Sequence, residues 1–337
     1  MHSFINFAVN LFNISIDFIK PSSILFKSPL HLLSIFMYNI MEVIVVQREN
    51  FNYSLEDHSF YIGYKGKVGH YTMSSAHFHE HYEIYYLLDG ERYYFINNKT
   101  FLIKRGDLVL INSNDLHKTI DVGGPSHKRA LIYFHNDFIS SNKNDYSDLL
   151  KKIFENGNHV IRLPSNEQDM VEALLNNMLD EASSKQTGYM LRLQSLLSEL
   201  LVSTARFIET SVFSRFDYLS PVHRKVSEIV SFINQKYMEP LTLDILSENF
   251  FISKYHLSRI FKETTGFSFI EYLNSVRVRE SQILLKDEKI KIIDIAQRVG
   301  YGSISHFGRV FKATTGMSPH EYRKRCSKCN KDTNKIK

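Results

Sequence analysis

Between Asp244 and Tyr322 the chain nearly repeats itself at an offset of 50 residues, and nothing else in it constrains the fold so tightly. Asp244-Ile245 returns as Asp294-Ile295. His256, Arg259, Phe261 and Lys262 return as His306, Arg309, Phe311 and Lys312. Thr264-Thr265-Gly266-x-Ser268 returns as Thr314-Thr315-Gly316-x-Ser318, and Glu271-Tyr272 as Glu321-Tyr322. A stacked solenoid needs about three units or more, so a duplication of two predicts a pair of equivalent helical modules.

Each copy reads as a short helix, a turn and a second helix. After a helix over Val222 to Tyr237, Pro240 breaks the run and Thr242 can cap a helix over Leu243 to Asn249. Ser253 caps the next helix. There Leu257, Ile260 and Phe261 form the inward stripe, Lys254, Tyr255, Ser258, Arg259 and Lys262 face outward, and Gly266 supplies the left-handed end. In the second copy Ile292 to Val299 leads through Gly300-Tyr301-Gly302 to Ser303. Phe307, Val310 and Phe311 then turn inward, Ser305, His306, Arg309 and Lys312 outward, and Gly316 closes the helix. A serine-capped helix that offers Arg, Ser, His and Lys from one face suits a DNA major groove, with arginine reading guanine and lysine touching phosphate. The outward sets differ, Tyr255 against Ser305 and Ser258 against Gly308, so the modules are expected to read different bases while sharing Arg259 and Arg309.

Charge agrees. Residues 222–337 hold 21 Lys and Arg against 12 Asp and Glu, a net +9, whereas the residues before them net −4. A basic domain joined to a mildly acidic one fits a nucleic-acid binder with a partner domain, and 337 residues suffice for two cores.

The front half is of another kind. From about Val43 to Leu163 short β-type runs (Glu83 to Leu88, Arg92 to Ile96, Leu108 to Ile111, Ala130 to Phe134) alternate with turn residues and with no expected helices. Asp89-Gly90 and Asn97-Asn98 read as hairpin turns and Arg105-Gly106-Asp107 as a bend, which predicts a small barrel or sandwich. Strand alternation places His77, His79, His81 and Glu83 on one face. Their spacing resembles the first cupin motif, with Gly90 in its final place but Tyr71 where a Gly usually precedes the first His, and Gly106 to His117 resembles the second, although Asn112 and Asn114 replace its usual Pro and Gly. In metal-dependent cupins the residues at the places of His77, His79, Glu83 and His117 ligate an ion. The sequence reading favours instead a pocket for a small organic molecule, lined by His77, His79, Glu83, Tyr85, Tyr93 and His117, with no cofactor.

From Glu167 the period becomes helical. Met170, Leu174, Leu175, Met178 and Leu179 are followed, past Gly188, by a longer helix over Tyr189 to Ile208 with Leu193, Leu196, Leu197, Leu200 and Leu201. The second helix is expected to pair with its twin in a homodimer. Residues 1–40 hold no uninterrupted apolar run long enough to span a membrane and no leader pattern, and Met37 or Met41 could start translation, so this segment is expected to lie outside the fold. Cys326 and Cys329 make half of a zinc site at best, with no second ligand pair nearby, so no metal is expected there, and the lack of a disulfide framework suits the cytoplasm.

Taken together, Phe251-Ile-Ser-Lys-Tyr-His-Leu-Ser-Arg-Ile-Phe-Lys, Gly266-Phe-Ser-Phe, Tyr272-Leu, Arg277, Leu284-Leu285, Ile295-Ala296, Val299-Gly300-Tyr301, Phe307-x-Arg309-Val-Phe311-Lys312, Gly316-x-Ser318-Pro319 and Tyr322-Arg323 resemble the AraC/XylS family of transcription regulators. Ser247 and Ser281 stand where that family usually has Ala. The resemblance implies an α+β chain, with an amino-terminal cupin-like β-barrel followed by helices and a carboxy-terminal all-α domain of two helix-turn-helix motifs joined by a linker helix, here Ser268 to Lys286. The expected division is 1–40 extension, 41–165 sensor, 166–210 dimerisation helices, 211–221 linker, 222–325 DNA-binding domain and 326–337 polar tail. The function implied is a non-enzymatic, ligand-responsive activator whose partners are double-stranded DNA, a small effector such as a carbohydrate, a second copy of the chain and RNA polymerase, with no membrane. The rival is a metal-dependent cupin enzyme with an accessory helical domain.

Overall fold

Apolar alternation in the front half sorts its strands into two sheets. The computed structural model describes residues 50–68, 78–124, 126–139, 146–155, 157, 159–211 and 220–333, so the expected extension over 1–40, the strand-like run before Phe51, His77, most of the expected linker and the end of the tail lie outside the described residues. Strands β1 (Phe51–Ser54), β2 (Phe60–Val68), β3 (Tyr82–Asp89), β6 (Asp107–Ile111), β8 (Ser126–Phe134) and β9 (Val160–Arg162) form a sheet in the order β1-β2-β8-β3-β6-β9. Strands β4 (Glu91–Ile96), β5 (Lys99–Lys104) and β7 (His117–Ile120) form a second sheet in the order β5-β4-β7.

Of the expected barrel or sandwich, the described strands form two facing sheets that do not close into a barrel. Asp89-Gly90 is not a hairpin turn, because β3 and β4 belong to different sheets: the register slips between Leu87 and Asp89, and the chain turns a corner at Gly90. Asn97-Asn98 does close a hairpin, with Ile96 opposite Lys99. Two short helices that the sequence reading missed, α1 (Asn136–Ile139) and α2 (Ser147–Phe154), sit between β8 and β9.

One face of the six-stranded sheet is covered by helices. Phe60, Ile62, Ile84, Tyr86, Leu108, Leu110, Ile132 and Phe134 pack against α3 (Ser165–Ser184) and α4 (Tyr189–Thr210) through Leu174, Leu175, Met178, Leu193, Leu197, Leu200 and Leu201. Every leucine expected to meet a twin subunit is buried within the chain, because the helix lies in the angle between α3 and the sheet and needs more than a single apolar stripe. No described helix is long and apolar enough to cross a membrane.

The carboxy-terminal half holds α5 (Pro221–Lys236), then a first module of α6 (Leu243–Phe250) and α7 (Lys254–Thr265), a long α8 (Phe269–Leu285), and a second module of α9 (Ile292–Arg298) and α10 (Ile304–Thr315). Helix α11 (Pro319–Thr333) runs past Cys326, which packs on the core of the second module, so the stretch read as a polar tail continues a helix. Each module has its own core. Leu257, Ile260 and Phe261 join Tyr272 and Val276 of α8, while Phe307 and Phe311 join Val278 and Leu285 of the same helix. Helix α8 starts from a capping box in which Ser268 and Glu271 satisfy each other's backbone N–H groups. The serines at the two unusual positions satisfy their own hydroxyls, Ser247 on the Ile252 carbonyl at 2.6 Å and Ser281 on that of Val278 at 2.7 Å.

Arg277 fixes the two modules to each other. Its guanidinium, nearly buried, donates to the carbonyls of Tyr237 and Glu239 at 2.8 Å each, beyond the end of α5, and lies over the ring of Tyr301 in the second module. Gly300 makes room for it: a Cβ there would come within 2.9 Å of the guanidinium and 2.8 Å of the Met238 carbonyl. Phe311→Ala, which empties a fully buried position, is expected to cost about 3–5 kcal/mol in urea denaturation. A loss under about 1 kcal/mol would mean that the second module has no independent need of this ring.

Candidate nucleic-acid interface and sensor site

The two serine-led helices present the residues expected to read DNA. In α7 the inward stripe of Leu257, Ile260 and Phe261 is buried, and Ser253, Lys254, Tyr255, Ser258, Arg259 and Lys262 are all exposed. In α10 Phe307 and Phe311 are buried, Val310 is half-buried, and Ser303, Ser305, His306, Arg309 and Lys312 are exposed. Gly266 and Gly316 end these helices at φ +75° and +79°, a region only glycine enters without strain. The caps differ. Ser253 accepts from the His256 N–H as expected, whereas the Ser303 side chain makes no capping bond.

The reading faces are not idle. Lys254 is paired with Asp244 of α6, and Arg259 reaches Glu263 at 3.4 Å and His256 at 3.3 Å, while the His306 ring meets Tyr301 edge-on. Such exposed pairs contribute little to stability. Phe251, in the turn before α7, was missed by the sequence reading: it holds φ +53° and is 95% exposed beside Tyr255, itself 82% exposed. Nothing local in the sequence marks it, because its exposure arises only in the fold.

Between the two sheets lies a polar cluster. Nε2 of His79 is 3.0 Å and Nε2 of His117 is 3.1 Å from the same oxygen of Glu83, Oε2. The Tyr94 hydroxyl donates to the other oxygen at 2.8 Å. Glu83 and His117 are buried and His79 is partly exposed, so the cluster opens at its His79 end. Burial alone would push the Glu83 carboxyl up, but the charge and hydrogen bonds of His117 and His79 hold it well below the usual range. Burial would likewise pull His117 down, and Glu83 more than reverses this. Burial and then the Glu83 charge push the Tyr94 phenol well up, so it stays a donor.

Of the expected pocket residues, His79, Glu83 and His117 come together and Tyr85 lies alongside, its ring edge-on to Tyr94. His77 lies outside the described residues. Tyr93 points the opposite way, its ring near His223 of the helical half, because adjacent strand residues face opposite sides; Tyr94 occupies the place expected for it. His81 also leaves the cluster. Residues 78–81 are not strand, so alternation begins only at Tyr82, and His81 instead bonds the His58 carbonyl and stacks on His135. Tyr133, directly across from Glu83 and edge-on to His79, completes the cluster and was missed.

The residues next to the cluster hold the helical half. On the outer face of the smaller sheet, Phe95 packs on Phe267, Thr100 donates to the Thr264 carbonyl at 2.9 Å, and Lys118 donates to that of Gly266 at 2.6 Å. These are end carbonyls of α7, where a cation also meets the negative end of the helix dipole. Burial draws the Lys118 ammonium below its ordinary value, with Glu271 opposing. The Tyr272 hydroxyl donates to the Asn97 carbonyl at 2.9 Å. On the other side of His79, Phe78 packs against the cores of both modules, and Glu80 accepts from Tyr322 at 2.8 Å and lies 3.8 Å from Lys286.

A helix-turn-helix domain model matches residues 246–325, and an AraC-like ligand binding domain model matches residues 58–201. The chain is 26% identical over 250 residues to the uncharacterized HTH-type transcriptional regulator YfiF of Bacillus subtilis strain 168, covering 73% of this chain and 78% of that one. It is 25% identical over 266 residues to the melibiose operon regulatory protein of Escherichia coli strain K12, covering 75% and 85%. It is 35% identical over 98 residues to the multiple antibiotic resistance protein MarA of Salmonella typhimurium, covering 29% of this chain and 77% of that one. Two helix-turn-helix modules on one linker helix, carried by a ligand-binding amino-terminal domain, place this chain in the AraC/XylS family of DNA-binding transcription regulators.

Proposed function

We propose that this regulator works as a cytoplasmic homodimeric activator, without catalysis, in which the state of the cluster around His79, Glu83 and His117 sets how firmly the sensor domain holds the two reading modules. The observation that carries this is adjacency. His117 and Tyr94 face the cluster, their neighbours Lys118 and Phe95 face α7, and Glu80, next to His79, grips the second module. A ligand that moves these strands by a fraction of an ångström changes both grips together, and its differential affinity for the two arrangements is the coupling.

The assignment of roles follows. Residues 41–165 act as sensor and 222–325 as DNA reader. Ser253, Lys254, Tyr255, Ser258, Arg259 and Lys262 contact one major groove, and Ser303, Ser305, His306, Arg309 and Lys312 the next. The segment 166–210 carries the dimer contact. Its support is an open groove of about 510 Å³ between α3 and α4, lined by Met170, Ala173, Asn177, Arg192, Ser195 and Glu199 together with the outer edges of Leu174 and Leu196. A carbohydrate effector draws support from the name of the melibiose operon relative.

Arg259→Ala and Arg309→Ala are each expected to cost about 1–3 kcal/mol in specific operator binding, measured by footprinting on the DNA flanking the gene. Unchanged footprints in both would remove these residues from the reading role. Glu80→Ala and Tyr322→Phe release one hydrogen bond of the grip and are expected to raise operator affinity of the ligand-free chain about threefold to tenfold. Unaltered affinity together with unaltered effector response would defeat the proposed coupling.

A further inference from the structure

On the inner face of the larger sheet one cation stands without an acceptor. Arg129 of β8 lies directly across from Leu87 of β3 and Lys65 of β2 and shares their face, with its guanidinium over the Tyr85 ring at 5.5 Å. It is half-buried, and among the described residues no carboxylate or carbonyl accepts from its five N–H groups. The acids of this space are engaged elsewhere. Glu83, about 13 Å along β3 from the level of Arg129, is matched by His79, His117 and Tyr94, and Asp121 lies 3.6 Å from Arg92. The residue opposite Arg129 on β2 is a second cation, the exposed Lys65, and like charges directly across a sheet cost stability. A partly desolvated guanidinium in this position asks for an anion.

Between Arg129 and the polar cluster the sheet has a bare floor with a movable ring on it. Gly63 shares the inner face with Tyr61 and Lys65, its neighbours two residues to either side on β2. A Cβ at Gly63 would come within 2.9 Å of Cζ of Tyr61, so the missing side chain is what lets that ring fold back along the strand. Tyr61 is half-buried, meets the Tyr133 ring at 5.4 Å and makes no hydrogen bond through its hydroxyl among the described residues. Burial pushes its phenol up, with the Arg129 charge opposing, so it stays neutral and does not balance the guanidinium. Swinging the ring outward therefore costs packing but no hydrogen bond. The move uncovers a flat strip from Tyr133 over Gly63 to Arg129. From Gly63 to the level of Arg129 is two residues of strand, about 6–7 Å, which suits one six-membered ring with a carboxylate at its edge.

We propose that Arg129 anchors the carboxylate of a small acidic effector, a sugar acid in size, whose ring takes the place of the Tyr61 side chain over Gly63. The planar fork of the guanidinium matches a carboxylate with two parallel hydrogen bonds, and Lys65 adds a second positive charge at the open end. The proposal rests on the reading of the space between the sheets as the sensor's ligand site, and it narrows the carbohydrate suggested there to one that carries a charge. The effector lies beside the polar cluster rather than within it. Tyr133, at the far end of the strip, stands directly across from Glu83, so a ring resting against Tyr133 presses on the cluster from its side.

Titration calorimetry on the full chain compares galacturonate with galactose and glucuronate with glucose, each pair sharing a ring and differing in the carboxylate. One acid per chain is expected to bind, with its neutral counterpart roughly tenfold weaker or more. Arg129→Gln is expected to weaken the acid by a similar factor and Arg129→Lys by less, since lysine keeps the charge without the fork. Gly63→Val, which fills the floor, is expected to abolish binding. Arg129→Gln, at a half-exposed position, keeps the comparison valid should the buried Gly63→Val fail to fold. Neutral sugars that bind as tightly as the acids, an unmoved affinity in Arg129→Gln, or binding of neither acid overturns the anchor. Binding that survives in a folded Gly63→Val overturns the place given to the ring. Footprints on the DNA flanking the gene, with and without the bound acid, then separate this site from the control reading. An unmoved footprint overturns the control reading while the acid site stands, and a footprint moved by a neutral sugar alone overturns the acidic effector while the control reading stands.

Discussion

A sheet of three strands buried on both faces is the constraint on which the molecule depends. In β4 and β7 alternation is obligatory, so every residue that faces the polar cluster is flanked by residues that face the helical half. Tyr94 and His117 look inward while Phe95 and Lys118 look outward. No intermediate layer separates the chemistry of the sensor from the end of the first recognition helix, and a strand cannot shift on one face alone.

Electrostatics makes the inner face demanding. A carboxylate buried among aromatic rings is tolerated only because His79 and His117 and the Tyr94 phenol supply opposite charge or donors. The outer face has its own obligation, the end carbonyls of α7, which Thr100 and Lys118 satisfy from the other domain. Each domain thus completes a group that the other leaves open, and the contact is built from hydrogen bonds with definite partners rather than from apolar area alone.

The helical half was the more legible part of the sequence. Its signals are local: a serine or threonine before a helix, a glycine after it, an apolar stripe between, all duplicated at Gly266 and Gly316 or Phe261 and Phe311. The exception is Ser303, which has the right residue type at the right place but makes no capping bond. The front half was legible in kind and wrong in parity. Counting alternation from His77 assumed a strand that begins only at Tyr82, which misplaced His81, and choosing Tyr93 over Tyr94 turned the prediction to the wrong face. The corner at Gly90 was hidden because a turn dipeptide does not say whether the strands it joins pair with each other. Glu80 and Lys118 could not be assigned at all, since their roles exist only across 242 and 148 residues of intervening chain.

Arg277 makes the two modules a caliper. With its guanidinium locked onto the carbonyls beyond α5 and lying over Tyr301, and with Gly300 leaving space for nothing larger, the distance and rotation between the recognition helices are set by the protein. On the proposed reading, in which both helices contact bases, a change in the number of base pairs between their contacts is absorbed by the DNA, through bending or twisting whose cost depends on the sequence of the spacer. Spacer base pairs that no side chain touches thereby become part of the recognised sequence.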